Sequence, residues 1–145
     1  MEHGKNDIRT FTGIYMDPFN ISQAQVRIED IAHALSMMTR ANGHISSFFS
    51  IAQHCINCAA EAKGRGLSRR VQLACLLHDA AECYIADVPR PVKHRLDGYA
   101  VIESRVLAAV FEAFGLSGLT DGEITSVNDI DNAMLYCEFK ALTGA

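Results

Sequence analysis

RRVQLACLLHDAAECY, residues 69–84, decides how this chain folds and where its chemistry lies. Ser68 stands in front of it as a helix cap, and the stretch reads as one largely buried helix. Two leucines, Leu76 and Leu77, then lead straight into His78, Asp79 and, three residues on, Glu82. Burying an unpaired charge is costly, so three ionisable groups in such a helix need a compensating partner. With about 100° between successive residues, His78 and Glu82 stand about 40° apart and Asp79 and Glu82 about 60° apart, on nearly one face. An imidazole beside a carboxylate is a start for a divalent-metal site with mixed nitrogen and oxygen ligands.

Working outward, the preceding stretch SSFFSIAQHCINCAAEAK (46–63) also has a helical period. Ser46 or Ser47 can cap it, Phe48, Ile51, Ala52, Cys55, Ile56 and Ala59 form its expected buried stripe, and the GRG that follows ends it. Before it, Ile28, Ile31, Ala32 and Leu35 mark one face of another helix. Residues 1–20 have no helical period and contain Asp17-Pro18; they read as an extended arm with a short strand pair around Gly13. On the other side, Pro89 and Pro91 break ADVPRPVKH (86–94) into a loop. YAVIESRVLAAVFEAFG (99–115) is a fourth helix ended by Gly115, and Thr120 or Asp121 starts a fifth that runs through GEITSVNDIDNAMLYCEFKAL (122–142). Five or more helices with little strand signal predict a compact all-α bundle, one domain over residues 1–145.

Composition narrows the partners. The 145 residues carry a formal net charge of −4, and no basic tract offsets it, which argues against a nucleic acid polymer. A small anion held by a few local Arg or Lys remains compatible. The odd count of five cysteines, with no recognisable signal peptide, points to free thiols in a reducing cytoplasm. Apolar runs such as VLAAVF are far too short to span a bilayer, so no membrane partner is expected.

Two further residues can complete a site around His78 and Asp79. His54 lies in an apolar stretch of the second helix, and Asp131 follows Val127 by four and precedes Met134 by three on an inward stripe of the fifth. Each would bring one ligand from a separate helix, as metal sites in helical bundles require. From the residues alone, other readings stay open: His54 as a hydrogen-bonded core histidine, His78-Asp79 as a structural ion pair, Asp131 as a solvated acid, and Asp129 as a competitor for its place.

Four segments in order, SIAQHC, LLHDAAE, DVPRPVK and VNDIDNA, resemble the HD-domain phosphohydrolases, whose pattern is H…HD…D. LLHDAAECYIADVPRPVK is similar to the motif of bacterial 5′-deoxynucleotidases of that superfamily, and IEDIAHALSMMTRANGH resembles the opening of a related bacterial and phage subgroup. The likeness covers roughly residues 10 to 140. It implies a helical HD-domain bundle that binds one divalent ion (Mn, Fe, Co, Ni, Zn or Mg) through His54, His78, Asp79 and Asp131. The implied reaction removes phosphate from nucleoside or deoxynucleoside 5′-monophosphates by attack of metal-activated water, with Glu82 as general acid/base beside Asp79. Arg40 matches a phosphate-contacting arginine and Asp87 an acid near the sugar, while Lys93 and Arg90 stand on the Pro-stiffened loop at the rim. His44 in RANGH is a further pocket candidate. The family also suggests a homodimer.

One departure bears on substrate choice: the tryptophan that follows the arginine in the deoxynucleotidases is Ala41 here. Steric rejection of a ribose hydroxyl is therefore not expected to be strong. An alarmone (ppGpp-type) pyrophosphohydrolase is a second reading, against which stands Cys83 directly after Glu82 where an acid is usual. A catalytically silent nucleotide-binding sensor is a third. Outside the motif, His33 reads as a core or supporting histidine, and CINC (55–58) as helix packing. Glu138, seven residues after Asp131 on the same face, reads as a supporting, dimer-contact or solvated acid, and SRR (68–70) as part of a solvated turn.

Overall fold

The computed structural model describes residues 3–144; Met1, Glu2 and Ala145, at the ends of the expected span, lie outside the described residues. Two short antiparallel strands open it, β1 (Ile8–Arg9) and β2 (Tyr15–Met16), with Ile8 opposite Met16 and Arg9 opposite Tyr15. Gly13 turns the chain between them at φ +92°, a conformation that costs glycine little. The arm is anchored rather than loose. Asp30 accepts hydrogen bonds from the Thr12 backbone N–H at 2.7 Å and the Thr12 hydroxyl at 3.0 Å, and Met16 is buried.

Seven helices follow: α1 (Ile28–Met37), α2 (Ile51–Gly64), α3 (Arg69–Leu77), α4 (Glu82–Ile85), α5 (Arg90–Lys93), α6 (Tyr99–Ala113) and α7 (Asp121–Thr143). The fold is the all-α bundle that the periodicity predicts. Ser50, Ser68 and Thr120 cap α2, α3 and α7 by accepting the backbone N–H three residues on, and Glu123 returns the bond to Thr120. Helix α2 packs on α3 and α7, and α1 packs on α2 and α4. Ile51, Leu77, Val106, Val110 and Ile130 fill the space between them. Each such buried side chain stabilises the fold by about 1.5–3 kcal/mol. This apolar floor holds α2, α3 and α7 at fixed distances, and the polar cluster described below sits on it.

The structure corrects several local expectations. Helix α2 starts at Ile51, and Ser50 caps it instead of Ser46 or Ser47. Residues 39–50 fold back as a loop, with a bridge between Thr39 and Ser50 and an Arg40 N–H to Phe49 carbonyl bond of 2.8 Å. Phe48 therefore falls outside the helix and is exposed. Ile56 is exposed as well, because the buried face of α2 runs through Ile51, His54, Cys55, Cys58 and Ala62. In α1, Ile31 and Leu35 are buried, but Asp30 takes an inward position to hold the arm, and Ile28 and Ala32 face out. The 86–94 loop contains one helical turn, α5, with a proline at its start, where its missing N–H costs nothing. Arg70 is not simply solvated: it reaches Glu123 at 3.1 Å and the Ser117 carbonyl at 2.7 Å, tying α3 to the start of α7. Among the described residues, no helix is long and apolar enough to cross a membrane.

Candidate metal centre

The stretch 69–84 is not one helix. Helix α3 ends at Leu77, and the chain coils more tightly before α4. N–H groups bond three residues back, Ala80 to Leu77, Glu82 to Asp79, Cys83 to Ala80 and Tyr84 to Ala81, at 3.0–3.2 Å. In such a coil positions i and i+3 eclipse, so Asp79 and Glu82 share a face more closely than α-helical spacing implies. His78 Nδ1 lies 2.6 Å from the Cys75 carbonyl oxygen. A carbonyl only accepts, so Nδ1 carries the proton and Nε2 is the atom turned toward the cluster.

There it meets groups from two distant helices. His54, fully buried on α2, and Asp131, on α7, bring Nε2 and Oδ1 to 2.9 Å of each other. Asp131 Oδ1 is 3.2 Å from His78 Nε2, and Asp79 Oδ2 is 3.3 Å from His78 Nε2 and 3.7 Å from His54 Nε2. Side chains from three segments, 54, 78–79 and 131, thus bring the Nε2 atoms of two imidazoles within 3.7 Å of carboxylate oxygens of Asp79 and Asp131. Glu138, one heptad after Asp131, receives His54 Nδ1–H at 2.6 Å, and Asn57 donates to its other oxygen at 3.1 Å. A carboxylate behind a histidine fixes ring and tautomer and leaves the far nitrogen as the donor. With both Nδ1 atoms committed and both Nε2 atoms converging beside carboxylates, the donor set fits a divalent cation. Donor atoms of His54, Cys58, His78 and Asp131 lie within 4.8 Å of one another, as do those of Cys55, His78 and Asp79. The cluster could hold a metal ion.

The electrostatics follow from the same contacts. Burial opposes the charged form of His78, but Asp79 and Asp131 outweigh it and push His78 up to about 9. Burial likewise opposes an imidazolium at His54, and bonds to Asp131 and Glu138 raise it nonetheless. Against burial, the two histidines hold Asp131 well below the usual carboxylate range. Glu138 is lowered by His54, also against burial. Glu82 behaves in the opposite way. Burial, then the charges of Asp79 and Asp87, push it up to about 10. One of its oxygens, Oε2, is buried with no hydrogen-bond partner among the described residues. Asp87 is likewise raised, mainly by burial.

A cavity of about 580 Å³ opens over the cluster. His78, Asp79, Asp131, Glu82, Arg40, Asp87, Lys93 and His44 all reach it, whereas His54 lies beneath. Arg40 is buried, 3.7 Å from Asp79 and 4.0 Å from Glu138, with its guanidinium over the Phe139 ring. Lys93 is held by Glu103 at 2.8 Å, and Arg90 stands 3.8 Å from Asp131. His44 is exposed at the rim. Asp129 faces solvent, and exposed His33 stacks on Phe11 instead of supporting the site or entering the core.

Sequence reasoning missed the cavity's apolar wall and one acid. Leu135 and Phe139 follow Asp131 at four and eight residues on α7, a spacing that places them on its face, so the signal was present. Glu103, on α6, had no such signal, because its pairing with Lys93 depends on how α5 folds. The rim backbone is unusual: Ala41 and Asn42 have φ of 54° and 52°, and Ala86 has φ 78° and ψ 162°. Glycine alone visits the last region readily. Tyr99 donates to the Ala86 carbonyl at 2.9 Å and holds that turn.

No family model matches the chain. It is 33% identical over 135 residues to the uncharacterized protein YfdR of Escherichia coli (strain K12), covering 93% of this chain and 71% of YfdR. It is also 34% identical over 143 residues to an uncharacterized protein of Rhodobacter capsulatus, covering 94% of this chain and 72% of that protein. With identity above 30% along most of both partners, the chain belongs to the family of YfdR.

Proposed function

We propose that this protein is a metal-dependent phosphohydrolase of the HD superfamily that removes phosphate from nucleoside 5′-monophosphates. The observation that carries the proposal is the meeting of His54, His78, Asp79 and Asp131 in the order H…HD…D at the floor of a cavity that also holds Arg40. A divalent ion held by those four would polarise a phosphoryl oxygen and lower the pKa of an attacking water.

The remaining work falls to the chain's own groups. Arg40 offers its planar fork to phosphate oxygens, and contacts with Asp79, Glu138 and Phe139 keep it aimed. Arg90 adds positive charge beside Asp131, where the carboxylates would otherwise repel a phosphate, while the charge of Lys93 enters the cavity paired with Glu103. Glu82, buried beside Asp79 in the cavity wall, is the group that moves a proton between the attacking water and the departing sugar oxygen. Leu107, Leu135 and Phe139 give the cavity an apolar lining.

The test is phosphate release by the purified protein, supplied with manganese, cobalt or zinc, from a panel of ribo- and deoxyribonucleoside 5′-monophosphates. Release of inorganic phosphate supports the reading. Release of pyrophosphate from ppGpp with no turnover of monophosphates overturns it for an alarmone hydrolase. Binding of nucleotide without any release overturns it for a sensor.

A further inference from the structure

The buried side of the donor cluster contains a group that the H…HD…D pattern does not include. Helix α2 places Cys58 one turn after His54, so the two share a face. Cys58 Sγ lies 3.6 Å from His54 Nε2, the same nitrogen that faces Asp79 and Asp131. Its sulfur belongs to one set with His54, His78 and Asp131 in which every donor atom is within 4.8 Å of the others. The arrangement is layered. His78, Asp79 and Asp131 reach the cavity, whereas His54 and Cys58 do not, and both are almost fully buried. A ligand arriving from the cavity would meet the oxygen-rich side, and the sulfur would stand behind.

We propose that Cys58 is a fifth donor of the centre, closing its buried side with a thiolate and selecting zinc, cobalt or iron(II) over magnesium. The inference rests on the reading of the cluster as a cation site. Soft sulfur ligands favour zinc and its neighbours, whereas magnesium favours oxygen and keeps its water. On ligation the S–H bond breaks, sulfur keeps the electron pair for the cation, and the proton leaves to solvent. Cys55 and Cys75 are also buried near the cluster, and they serve as controls.

The experiment loads the native chain with one equivalent of cobalt(II) and records its near-ultraviolet spectrum, with phosphate release from nucleoside monophosphates measured in parallel. The expected result is a sulfur-to-cobalt charge-transfer band that disappears in Cys58→Ser and persists in Cys75→Ser. Competition titrations should show Cys58→Ser losing at least about tenfold in zinc affinity, the least that loss of a supporting partner costs, with magnesium affinity unchanged. Cys58→Ala repeats the comparison if the serine variant does not fold. Cobalt bound without the band overturns the proposal and leaves the hydrolase reading standing. A band that survives Cys58→Ser, or is lost only in Cys55→Ser, overturns it too. No cobalt uptake together with no phosphate release overturns both.

Discussion

His54, in the first turn of α2, and Asp131, midway along α7, are braced by a shared apolar floor, whereas the cavity mouth is built from turns whose backbone leaves the ordinary regions. At the floor, each donor has a further contact: Glu138 behind His54, the Cys75 carbonyl behind His78, both histidines on Asp131, and Arg40 3.7 Å from Asp79. At the mouth, Ala41, Asn42 and Ala86 carry positive φ, and His44 and Arg90 are exposed. The difference teaches a division of labour. Helices α2 and α7, with the tight coil between α3 and α4, set distances that a cation would demand, and the strained turns at residues 41–42 and 86 set the shape that a substrate would meet.

Substitutions at the floor should have the largest effects. Asp79→Ala is expected to abolish both cation binding and turnover, checked by elemental analysis and phosphate release; full occupancy in that variant would break the comparison at its base. Glu82 stands at the border of the two regions. Glu82→Gln should keep the cation and lose roughly 10²–10⁴-fold in turnover, the usual share of a proton-transfer group. Glu138→Gln alters the brace behind His54 and removes the charge that faces Arg40 at 4.0 Å. It should weaken cation affinity by about 10–100-fold while the fold persists, as calorimetric titration would show.

Glu82 also predicts a pH effect on stability. In the folded chain it stays protonated up to about 10, while its ordinary value is 4.5. Between those values the folded state binds the extra proton, so stability falls as pH rises through that window. Glu82→Gln carries no such proton. With chelator present, thermal melting should find it more stable than the native chain, by a margin that grows above about pH 4.5. A constant margin would show that Glu82 is not held neutral.

The smallest effect belongs to the mouth. Ala86 occupies a region that costs a non-glycine residue about 1–3 kcal/mol, and glycine loses about 0.5–1 kcal/mol through its freer unfolded state. Ala86→Gly should therefore stabilise the chain by about 1 kcal/mol, read from the urea midpoint. Destabilisation would mean that the turn is not strained and that the two regions differ less than their backbones suggest.

The order of the five longer helices was legible, and α4 and α5 were not, because the apolar spacing of α2, α6 and α7 is set by the same burial that forms the core. The set 54, 78, 79 and 131 came from the resemblance of four ordered segments, since the residues alone left other readings open, and the heptad step from Asp131 offered a supporting acid as one of three readings of Glu138. What the sequence did not disclose depends on long-range folding. Periodicity alone extends a helix from Arg69 to Tyr84 and starts another near Ser46. In the structure, His78 bonds back to Cys75, the chain tightens, and the reversal at residues 41–43 pairs Arg40 with Phe49. Glu103 was hidden for the same reason, since nothing local connects it to Lys93.

The proposed centre is one location for one ion. Crystals of the protein equilibrated with zinc, with diffraction recorded at the zinc absorption edge, test it most directly. The prediction is a single anomalous peak at about 2.0–2.2 Å from the Nε2 atoms of His54 and His78 and from oxygens of Asp79 and Asp131. A peak elsewhere, or none there at saturating zinc, would contradict it.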